Sequence, residues 1–134
     1  MPNLERVAAQ CAQAMVHEAP QEAPHGNKAI EVLERLATKA LGVLQQQGVY
    51  ASMLFLYSRT SDEASLAPVI RRQLLAAARE VPGLTEHIPA GNAVQSAVLG
   101  FYTEHVLGDL DMVLLIRGLY EQTLIYARYG AKAA

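Results

Sequence analysis

The sequence predicts an all-α protein, a single helical domain over residues 1–134 that forms one compact bundle of about six helices. Apolar residues recur at spacings of three and four along most of the 134-residue chain, which is the period of a helix with one buried face. No segment shows the strict alternation of a half-buried strand. Proline and glycine interrupt the pattern at intervals that suit helices of ordinary length.

The first predicted helix begins after Asn3, whose side chain can accept a hydrogen bond from a free backbone N–H at the helix start. Its apolar positions keep helical spacing. They are Leu4, Val7, Ala8, Cys11, Ala14 and Met15. We expect the helix to end near Pro20, because proline lacks the N–H that continues a helix. The segment 19–26, APQEAPHG, holds two prolines and a glycine and is expected to be a loop.

The next two predicted helices meet at Gly48. Asn27 is placed to cap the second helix. The core positions of this helix are Ile30, Leu33, Ala37, Leu41 and Leu44. In the third helix, residues 49–57, only Ser52 is polar. A helix that is apolar all round must be surrounded by other helices, so we expect residues 49–57 to form the central helix of the bundle.

The fourth predicted helix has Ser65 as its N-cap, which puts Pro68 in the first turn, where proline is tolerated. Its inward positions are Leu66, Ile70, Leu74, Ala77 and Val81. The Pro82-Gly83 pair then ends the helix. Asn92 is expected to cap the fifth helix, and Gly108 is expected to end it.

The last predicted helix runs to about Gly130 and is capped by Asp109 or Asp111. These two residues are the only close pair of aspartates in the chain. A metal or acid–base role would require further carboxylates that the sequence does not place beside them. We therefore expect the pair to cap the helix and to meet the positive end of its dipole.

Composition limits the possible functions. The net charge of −2 lacks the basic excess of an autonomous nucleic-acid-binding domain. Charged residues make up 18% of the chain, below the usual figure of about 25%. This shortage indicates either a surface rich in alanine and glutamine or a surface that partners cover. The single cysteine, Cys11, excludes an internal disulfide and is expected to be a buried, unreactive thiol in a reducing cytoplasm.

No catalytic motif is present. The sequence lacks a glycine-rich phosphate loop, a nucleophile elbow and a Cys-x-x-Cys pair. The four histidines, His17, His25, His87 and His105, are scattered singly, without the spacing that places two metal ligands on one helix face. No apolar run is long enough to span a membrane, and the first residues do not have the pattern of a signal peptide. We expect a non-enzymatic cytoplasmic protein without cofactor or metal.

Six tyrosines could stack on bases, but we expect them at the edge of the core with their hydroxyls in water. These are Tyr50, Tyr57, Tyr102, Tyr120, Tyr126 and Tyr129.

Basic residues give a second signal, of phosphate binding. Arg72 and Arg79 are seven residues apart and share a helix face, with Arg71 about a quarter-turn away. Arg35 and Lys39 also share a face and repel each other unless an anion lies between them. Such faces contact either phosphate or solvent.

Three segments resemble the small α-helical subunit of the type III-B CRISPR effector, the Cmr complex. The first is Arg6-Val7-Ala8-Ala9 within an alanine-rich helix. The second, residues 47–59, QGVYASMLFLYSR, is similar to a family helix that starts Gly-Leu and ends in Ser-Lys or Ser-Arg. The third, residues 120–131, YEQTLIYARYGA, is similar to the closing helix of the family, which has aromatic and basic residues near its end.

The resemblance implies a non-catalytic subunit that stacks head to tail with its own copies along a filament of other Cmr effector subunits. In that position it would contact the backbones of the guide RNA and the target RNA. The expected RNA-binding residues are Arg35, Lys39, Arg59, Arg71, Arg72 and Arg79. Of these, only Arg59 lies in a matched segment. The alternatives are a helical adaptor that binds partner helices without nucleic acid and a bundle that holds a small ligand.

Overall fold

The computed structural model describes residues 3–22 and 28–134. In these residues the chain forms six α-helices in a bundle, as the sequence predicts. In chain order they are α1 (Leu4–Glu22), α2 (Ala29–Gln47), α3 (Val49–Tyr57), α4 (Glu63–Arg79), α5 (Gln95–His105) and α6 (Leu110–Ala133).

The core lies where α6 packs against α2 and α1, and where α1 packs against α4. Each of these helices presents one buried apolar face, including Met15, Leu33, Leu74 and Leu124, none of which is exposed to solvent. Burying a large apolar side chain in this way adds about 1.5–3 kcal/mol to the free energy of unfolding, compared with leaving it exposed. The long helices α1, α2, α4 and α6 therefore supply most of the stabilising burial.

The third helix contacts four other helices but, contrary to the sequence prediction, it is not enclosed on every side. It packs mainly on α2, α4 and α5, with a smaller contact to α6, and its buried residues are Val49, Ser52, Met53 and Leu56. Its opposite face reaches the surface, where Leu54 is 43% exposed. Nine residues make too short a helix to pass through the middle of a bundle whose other helices reach 24 residues. Its apolar composition therefore gives one buried face and one exposed apolar face.

Two prolines lie further inside helices than predicted. Pro20 is within α1, which continues to Glu22. Pro68 is within α4, which begins at Glu63 and not after Ser65. Each proline removes one helical hydrogen bond, and each lies near a helix end. The Ser65 hydroxyl donates to the carbonyl of Asp62 and does not cap the helix.

The other predicted boundaries have mixed outcomes. Gly48 ends α2 with φ of 98°, a backbone region that favours glycine. Asp109 caps α6, where its carboxylate accepts a hydrogen bond from the Met112 backbone N–H at 3.2 Å. The predicted Asn92 cap is wrong, because α5 begins later, at Gln95, without a side-chain cap. The predicted Asn27 cap lies outside the described residues.

Two tyrosines are buried completely, contrary to the prediction that all six have wet hydroxyls. Tyr102 of α5 and Tyr120 of α6 point their hydroxyls at each other, 2.7 Å apart. Burial raises the pKa of both phenols. The pairing satisfies two polar groups that would be costly to bury alone. Sequence spacing did not reveal it because the two residues come from different helices.

Cys11 is buried in α1, as predicted. Burial, with a smaller contribution from Glu80, raises the pKa of its thiol to about 11. The thiolate that would react is therefore strongly disfavoured at neutral pH.

Across residues 3–22 and 28–134, no helix combines the length and apolar character needed to cross a membrane.

Candidate functional site

The first group of predicted RNA-binding residues surrounds one buried carboxylate. The Glu63 side chain is only 8% exposed, at the start of α4. It accepts hydrogen bonds from Arg35 Nε at 3.0 Å, Lys39 Nζ at 2.9 Å and Arg59 Nη1 at 3.2 Å. Arg35 also donates to Asp62 at 2.8 Å. We call these five residues the Glu63 cluster.

Local sequence explains how the Glu63 cluster forms. Arg35 and Lys39 are four residues apart on α2, so their side chains project from one face. Glu63 lies in the first turn of α4, where the helix dipole also stabilises a negative charge. Burial alone would raise the pKa of Glu63, but the hydrogen bonds from Lys39, Arg35 and Arg59 outweigh it and lower the pKa to about 2. The carboxylate is therefore ionised at neutral pH.

The Glu63 cluster changes the interpretation of Arg35 and Lys39. The sequence indicated that an anion between them could be phosphate, but in the structure that anion is the Glu63 carboxylate. Three cations against two carboxylates leave the cluster with one surplus positive charge. Arg35 and Lys39 remain half exposed. Their main observed contact joins α2 to the start of α4.

Arg59 is held by three kinds of contact. Its guanidinium lies 3.8 Å from the centroid of the Phe55 ring, as in a cation–π contact. Its Nε donates to the Phe55 carbonyl at 3.1 Å, and its Nη1 donates to Glu63. These contacts close the C-terminal end of α3. The one predicted RNA contact that lies in a matched segment is thus also a structural link between α3 and α4.

The three arginines of α4 have different surroundings. Arg72 Nη2 lies 3.2 Å from Glu18 and 3.6 Å from Glu22, both on α1. Arg71 is half-buried, with its guanidinium 4.0 Å from the centroid of the Tyr57 ring. Arg79 is exposed, two turns further along the helix. The charged end of Arg72 therefore points to α1 and that of Arg71 to the end of α3, while Arg79 lies two turns away from Arg72 on α4.

An apolar groove between α1 and α6 was not predicted. It encloses about 640 Å³. We call it the tyrosine groove; it is lined by Ala9, Ala12, Val16, Tyr126, Tyr129 and Gly130, with Gln13 and His17 at its polar edge. Tyr129 is 60% exposed. The two helices approach closely at Gly130, where a β-carbon would lie 3.3 Å from Val16. The signal in the sequence was the pair of tyrosines near the end of the last helix.

A second exposed apolar surface lies where α5 turns into α6. Leu107, Leu110 and Leu114 form this leucine corner, and Leu110 is 73% and Leu114 58% exposed. Asp109 and Asp111 lie beside these leucines in sequence, so the corner is apolar with an acidic border. Exposed leucines grouped in this way, with polar residues around them, are typical of interaction surfaces.

Two of the histidines are not isolated. His87, before α5, stacks on His105 at the end of α5, with ring centroids 3.9 Å apart and planes 11° apart. The fold brings the connection after α4 against the end of α5, which sequence spacing cannot show. His25 lies outside the described residues. Within the described part of the chain, no group of three or more histidine, cysteine or acidic side chains is arranged to hold a metal ion.

Comparison of the chain with protein-family models, with curated proteins and with solved structures finds no match.

Proposed function

We propose that this protein is a non-catalytic structural subunit of a CRISPR RNA-guided antiviral ribonucleoprotein, the type III-B Cmr complex. In this proposal it works in the cytoplasm, stacks head to tail with copies of itself beside other Cmr effector subunits, and contacts the backbones of guide and target RNA. The resemblance of residues 47–59 and 120–131 to that family supports the identity. The all-α fold agrees with it.

The observation that carries the proposal is the pair of exposed apolar surfaces at the two ends of α6. The leucine corner lies at its start and the tyrosine groove near its end. From Leu114 to Tyr129 the helix rises about 22 Å. Two different surfaces at opposite ends suit a head-to-tail contact, in which the corner of one copy enters the groove of the next. Repetition of such a contact produces a filament.

Charge supports the same pairing. Asp109 and Asp111 lie beside the leucine corner. Arg128 and Lys132 line a smaller cleft next to Tyr129, together with Glu34. The acidic border would therefore meet a border with one surplus positive charge. Such complementarity favours one register over others.

On the RNA side, the proposal depends on the arginines of α4 more than on the Glu63 cluster. Arg71, Arg72 and Arg79 lie on one helix with at least part of each side chain exposed. Arg35, Lys39 and Arg59 contribute one surplus charge from a cluster whose carboxylates neutralise the rest. We expect the isolated protein to bind RNA weakly and with strong salt dependence, because one copy neutralises few phosphates.

A second candidate is the helical adaptor, which binds partner helices without nucleic acid. Two observations favour it. Five of the six predicted RNA-binding residues make contacts within the protein: Arg35, Lys39, Arg59, Arg71 and Arg72. In addition, the tyrosine groove is mainly apolar, as a groove for an amphipathic helix is.

Affinity recovery from the native cells distinguishes the two candidates. The tagged protein would be isolated at moderate salt with and without ribonuclease, and its protein partners identified. The proposal predicts RAMP-type proteins whose recovery falls after ribonuclease treatment. Unrelated partners that stay bound after ribonuclease treatment would support the adaptor and contradict the proposal.

A pair of variants tests the role of the leucine corner. Leu110→Glu combined with Leu114→Glu should release the partners, since two charges would replace the exposed apolar contact. Leu54→Glu is the matched control, because Leu54 is an exposed leucine on a different helix. Equal recovery of partners by both variants would exclude the leucine corner as the assembly surface.

A further inference from the structure

A small cavity lies between the end of α3, the middle of α4, the segment 91–93 and the start of α5. It encloses about 230 Å³. Tyr57 and Arg71 line one side, and Gly91 and Asn92 lie at the exposed rim. Leu75 and Val98 are buried beneath it. The space exceeds the volume of several water molecules, each of which occupies about 30 Å³ in the liquid.

Arg71 brings a positive charge to this cavity without a counter-ion. In residues 3–22 and 28–134 no carboxylate lies within ion-pair distance of its guanidinium. Its Nη1 donates one hydrogen bond, at 3.2 Å, to the Leu56 carbonyl. Burial lowers the pKa of Arg71, and Arg72 adds to this effect against a raising contribution from Tyr57. A guanidinium has five N–H donors, so the donors of Arg71 that do not face Leu56 or Tyr57 remain for a ligand.

Arg72, unlike Arg71, has counter-ions within the protein. Its charged end lies next to Glu18 and Glu22 on α1. Its aliphatic stem forms part of the cavity wall, and a β-carbon at Gly91 would lie 3.6 Å from Arg72 Cδ. The charge of Arg72 is thus compensated within the protein. The charge of Arg71 is the one that an anion in the cavity would balance.

The shape of the site favours a phosphate group. Guanidinium binds phosphate through two parallel N–H donors, and an aromatic ring against one face of the guanidinium fixes its plane. Tyr57 supplies that ring for Arg71. The side chain of Asn92 is at the rim and carries two further N–H donors. We infer that this cavity is a phosphate site that takes one backbone phosphate of single-stranded RNA; the identity of the ligand rests on the proposed function.

Two variants test the site in different ways. Arg71→Ala removes the charge. Gly91→Leu fills the cavity and leaves every charge in place, and Gly91 is not among the glycines with positive φ, so its backbone accepts a side chain. The control is Arg6→Ala, which removes one exposed positive charge from α1. Arg6 lies about 18 Å along that helix from Glu18.

The assay is fluorescence anisotropy of the purified full-length protein with a labelled single-stranded polyuridine RNA, over a series of salt concentrations. Arg71→Ala and Gly91→Leu should each weaken binding about tenfold, as expected for loss of one charge-assisted contact. Each should also reduce the slope of log affinity against log salt by about 0.7, the value for one phosphate of a single strand. Arg6→Ala should change the affinity less than about fivefold, because an exposed charge contributes about 0–1 kcal/mol.

Several results would overturn the inference. The inference fails if the wild-type protein does not bind RNA at low salt. It also fails if Gly91→Leu binds RNA as tightly as the wild-type protein does. Binding of inorganic phosphate without RNA binding would assign the cavity to free phosphate and reject the RNA claim. Thermal unfolding followed by circular dichroism shows whether each variant is folded. If Arg71→Ala does not fold, the RNA affinity of Gly91→Leu alone tests the phosphate site. RNA recovered with the tagged protein from cells, with no effect of either variant on purified protein, would reject this site alone and leave the proposed function standing.

Discussion

Replacing Glu63 with glutamine should destabilise the fold substantially. The substitution keeps the shape of the side chain but removes the negative charge that three cations share. The pKa of Glu63 is lowered from an ordinary value of 4.5 to about 2. Because each tenfold change in proton affinity is about 1.4 kcal/mol, the fold favours the ionised carboxylate by about 3 kcal/mol. Measured losses on breaking one side of a buried ion pair are also about 3–5 kcal/mol.

The dependence of stability on pH follows from the direction of this pKa change. A carboxylate with a depressed pKa in the folded state contributes stability that is fully present above its unfolded pKa and is lost as pH falls through its folded pKa. The contribution of Glu63 should therefore be complete above about pH 4.5 and disappear towards about pH 2. The difference in stability between the wild type and Glu63→Gln should shrink over the same interval.

The assay is urea unfolding followed by circular dichroism, at neutral pH and at several acidic pH values. Asp62→Asn is the matched control, because Asp62 binds Arg35 at 2.8 Å but both side chains are half exposed. It should cost less than about 1 kcal/mol. A loss in Glu63→Gln no larger than that in Asp62→Asn, or a loss independent of pH, would refute the role assigned to the buried carboxylate.

Four further predictions concern the core and the backbone. Tyr120→Phe should cost about 1–3 kcal/mol in urea unfolding, because it leaves the buried Tyr102 hydroxyl unpaired; adding Tyr102→Phe should recover part of that loss. Gly48→Ala should destabilise by about 1–3 kcal/mol, since Gly48 has φ of 98°. The exposed helical Gly118→Ala should instead stabilise by about 0.5–1 kcal/mol. Cys11 should react with a thiol reagent only as fast as the protein opens, since the thiol is buried and its pKa is raised to about 11; rapid labelling of the native protein would contradict this.

The helices could be predicted from the sequence because their signals are local. Gly48 separates two apolar patterns, and the structure ends α2 and begins α3 there. Asp109 precedes a run of apolar residues and caps α6 as expected. In both cases the residue acts on the backbone within one turn, so the neighbouring sequence is sufficient.

The depth of a helix in the bundle, and the contacts of side chains between helices, were harder to predict from the sequence than the helix boundaries. The composition of residues 49–57 indicated a central helix, but burial depends on how many neighbours a helix of that length can contact. The hydroxyl pair of Tyr102 and Tyr120 joins two helices, so neither residue alone reveals it. Local propensity does not specify tertiary contacts of this kind.

The same distinction applies to the candidate RNA-binding residues. The spacing of Arg35 and Lys39 correctly indicated a shared helix face that requires an anion. It could not indicate that Glu63, more than twenty residues later, supplies that anion. Conversely, nothing in the local pattern distinguished Arg71 from Arg72, although only Arg72 contacts carboxylates in the described part of the chain. Ion pairs between distant segments decide which cations remain available.

The most direct test of the proposed function is ultraviolet crosslinking of the tagged protein to RNA in its native cells, followed by sequencing of the bound RNA. A subunit that contacts guide and target RNA should yield short RNAs that share a common 5′ end, together with the transcripts complementary to them. An untagged strain provides the background. RNA recovery no higher than that background, from cells in which the protein is expressed, would contradict the assignment to an RNA-guided complex.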